Sequence, residues 1–168
     1  QMWCYAGLPT TAGQTDAGAC PTQELIDAYE VVDAGMTTAQ PLLNLETPYA
    51  DADHLTPNIN TAATALYNPA DPYANRDPRL KASIYYNGSK LHLERNTLLS
   101  TKPGGNCELN INNARYTCTG YYTRKFAHYK SGRSGNLDGY FKVFRLAELY
   151  LNYAEAANEA ASTTTAPN

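Results

Sequence analysis

Phenylalanine, methionine and tryptophan are scarce in this chain of 168 residues. It contains three phenylalanines, two methionines and one tryptophan, and alanine and tyrosine supply much of its 43% hydrophobic content. A core built from alanine and tyrosine buries less apolar area per residue than one built from leucine, isoleucine and phenylalanine. The mean hydropathy of -0.50 agrees with this shortage. We therefore expect part of the burial to come from other parts of a longer protein.

Positive charge is scarce too, and no long apolar run occurs. Thirteen Lys and Arg against sixteen Asp and Glu leave a net charge of -3. Nucleic acids and anionic membranes are bound by surfaces with an excess of Lys and Arg, so neither is an expected partner. The one basic run, Arg124-Lys125 with Lys130 and Arg133 nearby, is typical of a solvated loop. No stretch reaches the roughly 18 apolar residues that a bilayer-spanning helix needs.

The sequence lacks the common catalytic and metal-binding motifs. It has no Gly-x-Ser-x-Gly elbow, no phosphate-binding loop and no zinc spacing. The run Asp51–His54 lacks the glycine and the later bidentate glutamate of a calcium loop, so we predict no metal site or cofactor, with a structural Ca²⁺ as the alternative. Glycoside hydrolysis needs two facing carboxyl groups, and nothing marks a pair, although Asp71 with Glu94 stays open. We therefore predict that the chain is not an enzyme.

Four cysteines are present, and none of them forms a Cys-x-x-Cys pair: Cys4, Cys20, Cys107 and Cys118. Four cysteines allow three pairings, of which the local one, Cys4–Cys20 with Cys107–Cys118, asks least of the fold. Each such bridge would stabilise the fold by on the order of 2–4 kcal/mol. Disulfides indicate an oxidising, extracytoplasmic location. The alternative is that all four residues are buried thiols.

Local signals predict two short helices. Residues 21–30 form the first predicted helix, with Thr22 as its cap and Leu25, Ile26 and Tyr29 on one face. The second begins where Asp77 occupies the N-cap position and Pro78 the first helical position.

Predicted strands and turns follow the second helix. Residues 82–86 are β-prone and stop at Asn87-Gly88, a strong turn signal, after which residues 91–93 are the expected return strand. The segment between Cys107 and Cys118 is predicted to be a hairpin, and residues 119–126 an extended aromatic segment.

Residues 36–75 give few periodic signals, and five prolines punctuate them. Long helices and central strands are therefore not expected there. Irregular stretches of this length in a compact domain are often binding loops.

The strongest helix signal comes near the end of the chain. Its apolar positions form one continuous stripe: Leu146, Leu149, Tyr150, Tyr153, Ala154 and Ala157. Such a stripe implies a partner helix, and none follows in this sequence. The chain also has no initiator Met, signal peptide or lipobox cysteine, so we expect an internal segment of a longer protein.

Three stretches in this order resemble the SusD/RagB family of outer-membrane nutrient-binding lipoproteins of Bacteroidetes. They are residues 21–30, residues 75–80 running into 84–88, and residues 120–126 leading to 144–159. The resemblance implies a mainly α protein with irregular loops and a small β-hairpin, part of a tetratricopeptide-like α-α superhelix. The chain would be a partial domain from the C-terminal half of the family's proteins. Residues 1–140 would be loop-rich, and residues 141–162 would form the first helix of a tetratricopeptide-like pair.

The resemblance also implies a function. Family members are lipid-anchored at the cell surface of the outer membrane, and here the anchor would lie in an N-terminal part outside this chain. They bind oligosaccharides and pass them to a SusC-like TonB-dependent transporter, or bind peptides in the RagB branch. We therefore predict non-catalytic glycan binding, with peptide capture or a fragment of a secreted hydrolase as alternatives.

Sugar binding needs flat aromatic faces with polar groups nearby, and tyrosine supplies both. Trp3 and Tyr5 lie in a Gly/Thr loop and are the first candidates, although Trp3 could instead anchor that loop by packing. Tyr49, Tyr67 and Tyr73, in the irregular stretch, are further candidates. We interpret residues 76–79 as a capped structural turn whose arginines tie neighbouring loops together.

Overall fold

A computed structural model describes residues 20–90, 98–114, 116–125 and 144–163, with side chains up to residue 160. The helices are α1 (Gln23–Asp27), α2 (Pro78–Ser83) and α3 (Leu146–Thr163), with a short 3-10 helix over Thr61–Ala63. The strands are β1 (Val31–Val32), β2 (Ala39–Gln40), β3 (Ile84–Tyr85) and β4 (Tyr122–Thr123). The chain divides into two units, Gln1–Leu137 and Asp138–Asn168.

Helices are few among the described residues, and irregular backbone connects them. The predicted small β-hairpin has a counterpart in two antiparallel two-stranded sheets, one of β1 with β2 and one of β3 with β4. This arrangement is compatible with part of a larger domain. The tetratricopeptide-like superhelix stays a prediction, as does the division at residue 140.

Both predicted helix starts are confirmed. Thr22 caps α1, and its hydroxyl oxygen accepts a hydrogen bond from the Leu25 amide at 3.3 Å. Asp77 caps α2 in the same way, accepting from the Arg79 amide at 2.8 Å, and Pro78 occupies the first turn. In both cases the side chain satisfies an amide that has no partner within the helix. α1 ends at Asp27, three residues before the predicted end.

The Asn87-Gly88 turn is also confirmed, with Gly88 at a φ of 85°. A left-handed φ costs glycine little because it has no Cβ atom. After the turn, the Leu99 amide donates to the Ser89 carbonyl oxygen at 2.9 Å. The predicted return strand at 91–93 lies outside the described residues. The ladder partner of β3 is β4, with Tyr85 opposite Tyr122.

Two small cores hold the larger unit together. The first packs Ile26 of α1, Leu80 of α2, Ile84 of β3 and Tyr121. The second packs four buried residues of the irregular stretch and its borders: Val31, Leu42, Leu43 and Ala63. Each core contains only four buried residues within the described part of the chain.

The irregular character predicted for residues 36–75 is confirmed, since only β2 and the 3-10 helix interrupt it. Asparagine and aspartate side chains replace regular ladders there. The Asn44 side-chain oxygen accepts from the Glu46 and Thr47 amides at 2.9 and 3.1 Å. Such local hydrogen bonds compete with helix and sheet formation.

α3 confirms the predicted final helix. Its described side chains are all exposed, including the apolar stripe at Leu146, Leu149, Tyr150 and Tyr153. None of the helices in the described part of the chain has the length and hydrophobicity required to cross a membrane.

Candidate functional site

The candidate site lies on an irregular hairpin formed by residues 43–59. Isolated bridges pair Leu43 with Ile59 and Tyr49 with Pro57. Near the tip, the Ala50 amide donates to the Thr56 carbonyl oxygen at 2.9 Å. Proline lacks the amide that a continuous ladder requires, so Pro57 keeps this hairpin irregular.

Asp51 closes the tip of this hairpin. Its carboxylate accepts hydrogen bonds from the Leu55 amide at 2.9 Å and from the Thr56 amide at 2.6 Å. These hydrogen bonds favour the ionised form and hold the pKa of Asp51 below its usual value of 3.8. The turn places His54 in the left-handed region, at a φ of 56°. Asp51 therefore has a structural role that requires no bound cation.

A structural Ca²⁺ would need a cluster of ligands at this turn. No group of three or more His, Cys, Asp or Glu side chains with metal-binding geometry occurs within residues 20–90, 98–114, 116–125 and 144–160.

The turn stacks the His54 imidazole on the Tyr49 ring. The ring centroids lie 4.3 Å apart, and the planes differ by 8°. Tyr49 is partly buried because it packs against the second core. Its hydroxyl donates to the Asp27 carboxylate at 3.0 Å. The pKa of Tyr49 is raised to about 12, mainly because its side chain is removed from water and also because of this hydrogen bond.

A carboxylate lies beside the exposed ring. His54 Nδ1 is 3.3 Å from Glu24 Oε1, and the two side chains are 49% and 51% exposed. Hydrogen bonds from the Glu24 backbone amide, from Thr22 and from His54 hold the pKa of Glu24 below its usual value. We call the set Glu24, Asp27, Tyr49, Asp51 and His54 the stacked-ring platform.

The stacked-ring platform combines two features that sugar binding requires. Tyr49 stacks on one face of the imidazole, and Asp51 closes the turn that carries it, so the half-exposed ring needs little reorganisation to receive a ligand. The Glu24 carboxylate at its edge is an acceptor for hydroxyl groups. An aromatic face with a few oriented polar groups is the usual composition of a small-molecule site.

The predicted tyrosines divide between the two cores, with Tyr49 and Tyr67 at the second and Tyr73 at the first. Tyr49 belongs to the stacked-ring platform. Tyr67 packs against the second core. Tyr73 packs against the first core, stacks on Tyr86 with centroids 4.0 Å apart and meets Tyr121 edge-on at 6.4 Å. The structure therefore does not bring these three tyrosines together in one exposed patch, and ligand binding by each of them stays a prediction.

The remaining site predictions fall partly outside the described residues. Trp3, Tyr5 and Cys4 all lie there. Of the other cysteines, Cys20 is half-buried, Cys107 is buried and Cys118 is exposed. The interpretation of residues 76–79 as a structural turn is confirmed, since the Arg76 guanidinium bonds the Pro72 and Tyr29 carbonyl oxygens at 3.0 and 2.7 Å.

The sequence pattern suggested His54 only as a metal ligand and did not indicate that its ring stacks on a tyrosine. A signal was present: histidine is one of the residues enriched at left-handed positions, and Asp51 three residues earlier favours a turn. The stack itself depends on where Tyr49 lies, which no local signal reports.

Comparison with known proteins assigns the family. The SusD family model matches residues 3–168 of the chain. No curated protein and no solved structure gave a significant match. Members of this family bind nutrients such as glycans in association with transport, and they are binding proteins rather than enzymes. Because the match covers nearly the whole chain, the chain belongs to the SusD family.

Proposed function

We propose that this chain is part of a protein that binds oligosaccharides at the cell surface and passes them to a SusC-like TonB-dependent transporter. Family membership supports nutrient binding linked to transport. Family members are typically surface lipoproteins of the outer membrane, which supports the proposed location at the cell surface.

The observation that carries the glycan proposal is the Tyr49–His54 stack. A pyranose ring presents C–H groups on its faces and hydroxyl groups around its edge. The exposed face of His54 would contact the C–H groups, and the Glu24 carboxylate would accept from a hydroxyl group. Neither contact requires proton transfer to the ligand, so the arrangement suits binding without catalysis.

One observation favours peptide capture as a second candidate. Leu45 and Leu55, on the same hairpin, are 81% and 80% exposed. Apolar side chains of a peptide could bury this surface, whereas an oligosaccharide has less apolar area to offer. The polar partners around His54 favour the glycan.

The two candidates are separated by calorimetric titration of the purified protein with a panel of neutral and acidic oligosaccharides and with a mixed peptide library. We expect saturable binding of at least one oligosaccharide, recovered with its chain length unchanged. Binding of peptides alone would replace the glycan proposal with peptide capture. Release of new reducing ends would show that the protein is a hydrolase.

A further inference from the structure

Cys20 and Cys118 are far apart in sequence but lie next to each other in the structure. Cys20 comes three residues before Gln23 of α1, and Cys118 three residues before Tyr121. The Tyr121 hydroxyl donates to the Gln23 side-chain oxygen at 2.8 Å, so the two segments meet at this point. Burial raises the pKa of the Cys118 thiol, and the neighbouring Cys20 side chain raises it further, so the two thiol groups lie close together.

The backbone on both sides of this contact is well held. Ile26 of α1 and Tyr121 pack in the first core. Thr117, next to Cys118, is fully buried, and its hydroxyl oxygen accepts from the Thr119 and Gly120 amides at 3.1 and 3.0 Å. Anchored segments keep the two thiols beside each other, and such proximity is what a disulfide bond requires.

Cys107 is buried, whereas Cys118 is exposed. Cys107 is fully buried, and its amide donates to the Ser100 carbonyl oxygen at 3.0 Å. Its carbonyl oxygen accepts from the hydroxyl of the buried Tyr122 at 3.3 Å. Cys118 is exposed and lies close to Cys20. This proximity favours a Cys20–Cys118 bond over the local Cys107–Cys118 pairing.

We propose that Cys20 and Cys118 form a disulfide bond that ties the start of α1 to the segment before β4. The oxidant is a protein disulfide of the thiol oxidoreductase class, which an extracytoplasmic compartment provides. The Cys118 thiolate, exposed to solvent, attacks that disulfide, and one oxidant thiol leaves.

The Cys20 thiolate then attacks the Cys118 sulfur in the mixed disulfide, and the second oxidant thiol leaves. Two protons and two electrons pass from the cysteine pair to the oxidant, whose disulfide is reduced to two thiols.

Peptide mapping under non-reducing conditions tests the proposal directly. Trypsin separates Cys107 from Cys118 by cleaving after Arg115, and cleavage before Asp16 separates Cys4 from Cys20. The protein is purified from an oxidising compartment, alkylated without reduction and digested with both proteases. We expect a linked pair of peptides, residues 16–26 with residues 116–124, that disappears on reduction. A Cys107–Cys118 link, or Cys118 recovered as the alkylated thiol, would overturn the proposal.

Variants provide a second test that does not depend on the map. In the Cys20→Ser variant we expect Cys118 to become reactive toward a thiol reagent, whereas Cys118 in the unsubstituted oxidised protein is unreactive. Cys107→Ser is the matched control and leaves Cys118 unreactive. Because the closed loop is long, we expect the Cys20→Ser/Cys118→Ser variant to melt on the order of 10 °C below the oxidised protein. Reactive Cys118 in the unsubstituted protein would contradict the proposal even if a variant failed to fold.

Discussion

Arg76 closes the C-terminal end of α1 by donating a hydrogen bond from its guanidinium to the carbonyl oxygen of Tyr29, 2.7 Å away. The same guanidinium donates to the carbonyl oxygen of Ile26, in the last turn of α1. Arg76 is only 4% exposed, and burial lowers its pKa while the charge of Asp27 opposes that shift. One side chain thus supplies charged donors to carbonyl oxygens at the C-terminal end of this short helix.

Replacing Arg76 by lysine removes the planar fork that reaches these carbonyl oxygens together. We expect Arg76→Lys to lower the free energy of unfolding by about 3 kcal/mol, because charge-assisted hydrogen bonds to the Ile26 and Tyr29 carbonyl oxygens are lost. Urea unfolding followed by circular dichroism measures the change. Arg79→Ala is the control, since the Arg79 side chain is exposed and pairs with the helix cap Asp77. Equal midpoints for Arg76→Lys and the unsubstituted protein would show that the carbonyl contacts contribute little.

Removing the His54 ring tests the stacked-ring platform. Asparagine accepts the left-handed conformation of this position, so His54→Asn deletes the ring without adding backbone strain. We expect the affinity for the best oligosaccharide of the panel to fall about tenfold, the loss of one stacking contact. Calorimetry measures it. Asp53→Ala, an exposed substitution one residue away, is the matched control and should bind normally. Unchanged affinity in His54→Asn would move the glycan site elsewhere.

Alkaline pH should weaken the fold through its buried tyrosines. The pKa of Tyr49 is raised from 10.0 to about 12, and burial raises those of Tyr73 and Tyr122 as well. A group whose pKa is raised on folding contributes stability below its unfolded pKa and loses it as the pH rises through the folded value. We therefore expect the free energy of unfolding to fall between about pH 10 and pH 12.

Tyr49→Phe removes one of these groups and should make the alkaline decline shallower, as urea unfolding at a series of pH values would show. The exposed Tyr150 on α3 provides the control, because Tyr150→Phe should leave the slope unchanged. Identical slopes for Tyr49→Phe and the unsubstituted protein would contradict the assignment to Tyr49.

Acid should open the hairpin tip. The pKa of Asp51 lies below 3.8 because the Leu55 and Thr56 amides stabilise its ionised form. A lowered pKa contributes stability above the unfolded value, and this contribution is lost as the pH falls through the folded value. We expect the Thr56 amide resonance to shift in NMR spectra with a midpoint below 3.8. Asp53→Ala should leave this titration in place, and Asp51→Ala should abolish it. A midpoint above that of a free aspartate would contradict the turn geometry.

Several elements were predictable because their signals are local. Thr22 and Asp77 each bond an amide two or three residues away, and the Asn87-Gly88 turn needs only glycine's freedom at one residue. The apolar stripe of α3 repeats within one segment. In each case the favourable interaction lies within a few residues, so the sequence pattern alone identifies it.

The candidate site was only partly predictable. Tyr49 was chosen as one tyrosine among several in an irregular stretch, and its hydrogen bond to Asp27 spans 22 positions. Tyr73 had the same sequence character, yet it stacks on Tyr86 and packs against the first core. Which core each tyrosine packs against depends on the tertiary structure, and the residue type does not indicate it.

The sequence by itself determined the helix caps, the glycine turn, the final helix and the shortage of core, because each follows from neighbouring residues or from composition. Only the tertiary structure decided that β3 pairs with β4, that His54 covers Tyr49 and that Cys118 lies against Cys20. These pairs are chosen by competition among many distant partners of similar chemistry. The outcome rests on how the whole unit packs, since closing a long loop costs little more entropy than closing a shorter one.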